Sequence, residues 1–317
     1  MRLDKFDLNL LVALHALLEE RNVTRAAERL NLSQPAMSAA LRRLREAFND
    51  DILVAHGKKM VPTSHAQALA PQVAEAMVRM QSLVSSSTVF DSATSDRMFR
   101  IAASDYITTV LIVPLLAALE IEAPFLRIEI SAPSNESMSM LAHGAIDFMV
   151  TPEQFLSQDH PKLLLFEEQH VVVGWNENPV FNTPLSDESY HSCGHIAVQI
   201  SNRLSFAESL QRKMGDRRRI EVVASSFTMV PWMLPGTHRL TLMHERLAKV
   251  MQARLPLGVA PPPFTIPSMR EMVQFHEARA GDGGLQWMLK RLLEQAALDP
   301  LQRTELDGSA HPRRSEV

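Results

Sequence analysis

A single cysteine, Cys193, stands in 317 residues, which excludes a disulfide framework and a cysteine-built metal cluster. One thiol suits a reducing compartment. No stretch of about 18 apolar residues occurs, so no membrane-spanning helix is expected. The opening segment MRLDKFDLNLLVALHALLEER lacks the form of a secretion signal. Asp4, Asp7, Asn9 and His15 interrupt its apolar positions, and no small-residue cleavage site follows. The expected location is cytoplasmic. The chain also lacks a GxSxG nucleophile turn, a phosphate-binding loop and a GxGxxG dinucleotide loop. Two half-matches to the HExxH zinc helix, His244-Glu245 and His276-Glu277, lead to Ala248 and Ala280 where the second histidine would stand. His191, Cys193 and His195 are spaced by two in a stretch that reads as a surface loop. No metal, cofactor or catalytic residue is therefore expected, and the chain is not expected to be an enzyme.

What is present is a globular composition, 46% hydrophobic and 21% charged. The length exceeds one ordinary core, so two or three domains are expected. The formal net charge is −4, but it is unevenly spread. Residues 1–65 hold ten Lys/Arg against eight Asp/Glu, a balance of +2, while the remainder carries −6. The early cations cluster at 42–45 and 58–59, which suits a small docking surface on an otherwise acidic protein.

That surface coincides with a pair of short helices. Leu8 to Glu20 has an apolar stripe (Leu10, Leu11, Leu14, Leu17, Leu18) and supplies a core. Thr24 to Leu30 reads as a second helix, Asn31-Leu32 as a turn, and Ser33 to Phe48 as a third. Thr24 and Ser33 have N-cap chemistry, and Pro35 is tolerated in a first turn. Helical spacing places Ala36, Ala40, Leu41, Leu44 and Phe48 on the buried side of the third helix. Gln34, Ser38, Arg42, Arg43 and Arg45 fall on the other. A polar, cationic face on the second helix of such a pair is what a reader of the DNA major groove needs. Gln34 can read adenine and Arg42 guanine. Pro35 offers an apolar contact to a thymine methyl, and Thr24, Ser33, Lys58 and Lys59 suit phosphates. On periodicity alone the same face could be merely solvated.

After Phe48 an acidic turn leads to a hairpin, with Ile52 to Val54 and Met60-Val61 as strands and Gly57 at the tip. Ser64 to Val84 reads as one long helix, with Leu69, Val73, Met77 and Met80 at seam spacing for pairing with a second chain. Residues 85–96 read as a hinge. Beyond it strands and helices alternate, which predicts parallel sheets covered by helices. Leu163 to Val173 reads as strand, Thr228 to Leu234 as helix, and the tail past Asp299 as disordered.

The run DLNLLVALHALLEERNVTRAAERLNLSQPAMSAALRRLREAFNDDILVAHGKKMVPT resembles the winged helix-turn-helix domain of LysR-type transcriptional regulators. It is most similar to the branch that contains the NodD regulators and the regulators of nitroaromatic and salicylate degradation. Arg45 within LRRLR, the wing ending MVPT, and the late segment FHEARAGDGGLQWMLKRL carry that likeness. It covers residues 3 to about 296. The resemblance implies an α/β fold: a winged helix-turn-helix over 1–63, a linker helix and hinge over 64–90, and a two-lobed effector-binding domain over 91–300, built like a periplasmic binding protein. Residues 301–317 are an expected disordered tail. Two crossing strands join the lobes, near His170–Trp175 and Pro267–Met272. The implied partners are promoter or operator double-stranded DNA, a small-molecule effector, a second copy in dimers or tetramers, and RNA polymerase. Where wings of that branch carry arginine before the tip glycine, this chain has His56, so a permanent charge in the minor groove gives way to a titratable ring.

Ligands in open α/β sheets bind at the carboxyl ends of strands. Ser104-Asp105-Tyr106 follows a strand and opens a helix, and Thr151-Pro152 follows the next one. Ile200 to Arg203 and Ser225-Ser226-Phe227 are their counterparts in the second lobe. By resemblance the pocket takes aromatic acids or phenolics. Ser104, Asp105, Thr151, Ser201, Arg203 and Phe227 are then the effector residues, with Arg203 pairing a carboxylate and Met229, Trp232 and Met243 as further lining. The competing functions are a small-molecule binding module whose helix-turn-helix serves only dimerisation, and an enzyme built on the two lobes. The missing catalytic motifs disfavour the enzyme.

Overall fold

The computed structural model describes residues 6–57, 59–86, 90–201 and 203–298. Lys58, Asn202 and the expected tail over 301–317 lie outside the described residues. Contacts divide the chain into a unit of residues up to 89, with 142–145, and a larger unit from Phe90 onward.

In the first unit, α1 (Asn9–Glu20) ends where Arg21 turns left-handed (φ 48°) and its N–H bonds back to the Leu17 carbonyl. α2 (Val23–Arg29) is capped by Asn22, whose side chain accepts from the N–H groups of Thr24 and Arg25. The cap is therefore Asn22 and not Thr24, which is the second residue of the helix. α3 (Gln34–Phe48) is capped by Ser33 as its chemistry suggests, with Pro35 in the first turn. Met37, Leu41 and Leu44 are its buried residues, while Ala36 is exposed. The buried stripe thus starts at Met37, and small size alone misplaced Ala36.

The wing pairs β1 (Leu53–His56) with β2 (Lys59–Pro62), His56 opposite Lys59. Gly57 sits at the tip with φ +62°, which a two-residue loop demands. Ile52 is not the first strand residue. It is fully buried with φ +60°, a costly conformation for a β-branched side chain. Asp50 holds it: one carboxylate oxygen accepts from the Ile52 N–H (2.7 Å) and the Thr63 hydroxyl (2.6 Å). Arg45 also departs from expectation. Its guanidinium donates to the carbonyls of Asp51 and Leu53, fastening the wing to α3.

α4 (Ser64–Ser86) uses its apolar stripe at home. Val73 and Met77 are buried in the core built by α1 and α3, and Leu69 and Met80 pack against it. Val73 and Met77 are thus covered within their own chain and do not face a second one as expected, whereas Leu69 and Met80 are only half-buried.

The second unit holds two sheets. In the first, β3 (Met98–Ala103) lies parallel between β4 (Arg127–Ser131) and β5 (Phe148–Pro152), and β13 (Met269–Gln274) runs antiparallel between β5 and β6 (Lys162–Glu168). In the second, β8 (Gly194–Ile200) and β11 (Leu240–His244) are parallel to β10 (Arg219–Ala224). The antiparallel strands β7 (His170–Trp175) and β12 (Leu257–Ala260) complete it, and the two-residue β9 (Arg203–Leu204) flanks β8. The stretch read as one strand over 163–173 is two strands in different sheets, broken at Gln169. The chain crosses back after β12.

Helices cover both sheets. α5 (Asp105–Ile107) continues through a π segment (Thr108–Ile112) into α6 (Val113–Glu122). α7 (Ser137–Ala142), α8 (Asp187–Ser192), α9 (Phe206–Lys213), α10 (Glu245–Gln252) and α11 (Gly283–Ala297) follow. The expected helix over 228–234 is only a 3-10 turn, Val230–Met233, with Pro231 in it. Both zinc half-motifs are helix starts: His244 precedes α10, and the His276 Nδ1 accepts from the Ala278 N–H.

The late signature segment has a structural cause. Asp282 caps α11 and takes a two-point ion pair from Arg97 (2.5 and 2.8 Å). A Cβ on Gly284 would collide with the same guanidinium, so glycine leaves room for it. Burial pushes the Asp282 carboxyl up, but Arg97 and the Leu285 N–H outweigh it and hold the group at about 2.

Two outcomes follow. Val73→Glu with Met77→Glu buries charge in the first unit's own core, so it should abolish that unit's cooperative melting rather than yield folded monomers. A folded monomer with parental melting would contradict the assignment. Asp282→Asn should cost the second unit about 2 kcal/mol at neutral pH. A depressed pKa confers stability above the ordinary aspartate value that is lost on acidification, so the gap from the parent should close as pH falls from about 4 toward about 2. Urea unfolding across that range measures it, and a pH-independent gap would remove the ion pair as the cause.

Candidate functional site

In the first unit, α3 presents Gln34, Ser38 and Arg42 four residues apart, so they share one face, and all are exposed. Pro35 lies beside them. Among the described residues, no carboxylate lies within ion-pair distance of Arg42. The neighbouring cations are engaged. Arg43 pairs with Asp7 (3.0 Å), Arg25 with Glu20 (3.2 Å), and Arg29 with Glu19. Thr24 and Ser33 are exposed at helix starts, Ser33 with its hydroxyl committed to the Ala36 N–H. His56 and Lys59 are exposed on the wing. Lys58 lies outside the described residues.

In the second unit the two sheets enclose a cavity of about 710 Å³, counting its mouth. Ser104, Thr151, Arg203 and Phe227 border it, from four segments widely separated in sequence. Ser104 is also the cap of α5, accepting from the Ile107 N–H (3.2 Å). Thr151 is buried at the end of β5, and Arg203 is exposed at the start of β9.

Asp105 and Ser201 are not among the lining residues. Asp105 reaches across to the other lobe, where one carboxylate oxygen accepts from the Ser226 hydroxyl (2.6 Å), the Thr228 hydroxyl (2.8 Å) and the Thr228 N–H (3.0 Å). Ser201, at φ +48°, donates to the Pro133 carbonyl (3.3 Å). Both side chains are spent on joining the lobes. Met229 and Trp232 are 58% and 63% exposed, and Met243 is buried in the core, so none of the three lines the cavity.

Beyond Tyr106 of the Ser104-Asp105-Tyr106 turn, sequence reading missed the rest of one cavity wall. Tyr106, His244 and Glu271 form it, with Phe206 beside them. Tyr106 and His244 are stacked with ring centres 3.8 Å apart, and Phe227 meets both edge-on. Burial raises the Tyr106 hydroxyl well above its ordinary range, so it keeps its proton and donates to Glu168. Burial also holds His244 well below the usual histidine range, which leaves a neutral ring. Glu168 is fully buried and further bonded by the Arg246 guanidinium (3.0 Å) and N–H (3.3 Å). These residues converge from the helix after β3, the end of β6, α10 and β13, a meeting that no local pattern announces. The His191–Cys193–His195 group does not converge. His195 is buried with Nε2 on the Tyr190 carbonyl, while His191 turns to Asp187.

A family profile described as bacterial regulatory helix-turn-helix protein, lysR family, matches residues 8–67, and one described as LysR substrate binding domain matches residues 92–297. The chain is 42% identical over 299 residues to Nodulation protein D 1 of a Bradyrhizobium strain, covering 94% of this chain and 95% of that protein. It is 41% identical over 300 residues to Nodulation protein D 2 of Rhizobium tropici, with the same coverage. A solved structure of a probable transcriptional regulator from Pseudomonas aeruginosa aligns with a TM-score of 0.63 at 29% identity, over 92% of this chain and 97% of that one. Full-length OxyR from the same organism aligns at 0.74 with 16% identity over 93% and 96%, a likeness of fold.

Replacing Asp105 by alanine strips the acceptor from three donors across the lobes. The second unit should lose roughly 1–3 kcal/mol, and the Thr228 amide should exchange faster. Unchanged exchange at Thr228 would show that the bridge does not hold the lobes.

Proposed function

The chain belongs to the LysR family of DNA-binding, effector-responsive transcriptional regulators, and on that premise we propose which of its residues meet DNA and effector. Gln34, Ser38 and Arg42 read base edges in the major groove, and Pro35 packs on a thymine methyl. Thr24, Ser33, Arg43, Lys58 and Lys59 meet phosphates, and His56 approaches the minor groove from the wing. The supporting observation is the exposed Gln34–Ser38–Arg42 stripe on a capped helix whose other side is core. Arg43 must leave Asp7 to take its part, which weakens its share.

The effector is a small, ring-bearing molecule held in the two-lobed cavity against Ser104, Thr151, Phe227 and the exposed Arg203. The DNA-binding domain spans 1–63, the linker 64–90 and the effector domain 91–300. The protein self-associates as LysR regulators do, works in the cytoplasm with RNA polymerase as partner, and has no catalytic role of its own. No helix among the described residues is long and apolar enough to cross a membrane.

Gel-shift titration on DNA that co-purifies with the protein tests this. Arg42→Ala should weaken operator binding by roughly 1–3 kcal/mol and relax preference at one base position. Lys59→Ala should weaken all sequences alike and flatten the salt slope by about one unit. Parental operator binding by Arg42→Ala would take that residue out of the recognition role.

A further inference from the structure

One carboxyl on the cavity wall has an oxygen with no hydrogen-bond partner among the described residues. Glu271 lies on β13 between β5 and β6, is 1% exposed and borders the cavity, and its Oε2 makes no hydrogen bond. Met269 stands opposite Glu168 and Glu271 opposite Phe166, so the two glutamates are diagonal neighbours on one face of the sheet.

The groups around Glu271 are already committed. Arg246 gives its guanidinium to Glu168 and to the Glu167 carbonyl (2.7 Å), and it lies over the Phe166 ring. The Tyr106 proton goes to Glu168, and His244 is a neutral ring stacked on Tyr106. Among the described residues, no cation forms an ion pair with Glu271. Burial, and then the neighbouring Glu168, push its carboxyl well above the ordinary range, which favours the protonated form with an O–H to donate.

We propose that Glu271 is the polar anchor of the effector, donating a hydrogen bond from its carboxyl to an uncharged acceptor oxygen on a ring-bearing ligand. The proposal rests on the cavity being the effector site. An acceptor oxygen satisfies a buried donor that is otherwise wasted. A ligand carboxylate brought to the same wall would be desolvated beside Glu168 with no cation left to repay it. A ligand ammonium would pair with Glu271 only after that carboxyl released its proton to solvent. Arg203 also borders the cavity but is exposed at the start of β9, where water and salt screen its charge, whereas the Glu271 carboxyl is buried. The wall therefore selects neutral ligands by hydrogen bonding and rejects charged ones by desolvation.

The test uses the full-length protein and three one-ring probes that differ in a single group: acetophenone, benzoate and benzylamine. Ligand-observed NMR titration reads their affinities. Acetophenone should bind about tenfold more tightly than either charged probe. Glu271→Leu should lose about that factor for acetophenone, whereas Glu271→Gln, which keeps a donor, should stay near the parent. Parental acetophenone affinity in Glu271→Leu, or tighter binding of benzoate or benzylamine, overturns the anchor and leaves the cavity standing. Acetophenone binding that survives Thr151→Trp, which fills the cavity, or no binding of any probe, overturns the cavity reading and the anchor with it.

Discussion

The buried carboxylate of Glu168 fixes the geometry of the effector domain. It ends β6, the last strand before the chain crosses to the second sheet, and it collects a phenol from the first lobe and a guanidinium from the second. Taking such a pair out of water costs several kcal/mol per ion before any contact repays it, and well-packed apolar residues would serve stability as well. The arrangement makes sense as specification. Tyr106, Arg246 and Glu168 each have one arrangement in which all are satisfied, and that arrangement positions the aromatic wall. It also uses up the local cation, and Glu271 is left as a neutral acid because of it. Asp105 repeats the device nearer the surface, where a carboxylate at the start of α5 accepts three donors of the opposite lobe.

The DNA-binding unit works by a different economy. Its cations are mostly tied down: Arg43 to Asp7, Arg25 and Arg29 to the end of α1, Arg45 to the root of the wing. Exposed pairs of this kind contribute little stability. Arg42 is then the arginine on α3 that makes no ion pair among the described residues. The wing is held by Asp50 through the strained Ile52, so its angle is set by a buried residue rather than by the hairpin alone.

Much of this unit was legible from sequence because its determinants are local. The Ser33 cap, the Pro35 first turn, the Gly57 tip and the Leu41–Leu44 stripe all act within a few residues of where they stand. Errors arose where two local chemistries compete. Asn22 outranked Thr24 as a cap because it lies one residue before the first helical turn. The stripe of Leu69, Val73, Met77 and Met80 fits an intermolecular seam and an internal core equally well, and only the position of α1 decides. In the effector domain the strand ends were found, and with them Ser104, Thr151, Arg203 and Phe227. Beyond Tyr106, the cavity wall that holds Glu271 was not. Tyr106, Glu168, His244 and Glu271 become neighbours through an antiparallel strand inserted from more than a hundred residues away, and glutamate within a strand carries no sign that it will be buried. Asp105 and Ser201 were assigned to the right turns, but their side chains face the partner lobe.

The central physical claim is that a carboxylic acid persists, proton attached, on the wall of the cavity proposed for the effector. Infrared difference spectroscopy of the protein at neutral pH reads it directly, by subtracting the spectrum of Glu271→Gln from that of the parent. The account predicts a carbonyl-stretch band of a protonated carboxyl that belongs to the parent alone. A difference spectrum holding only carboxylate bands would show that Glu271 is ionised, and the wall described here could not then be what selects the ligand.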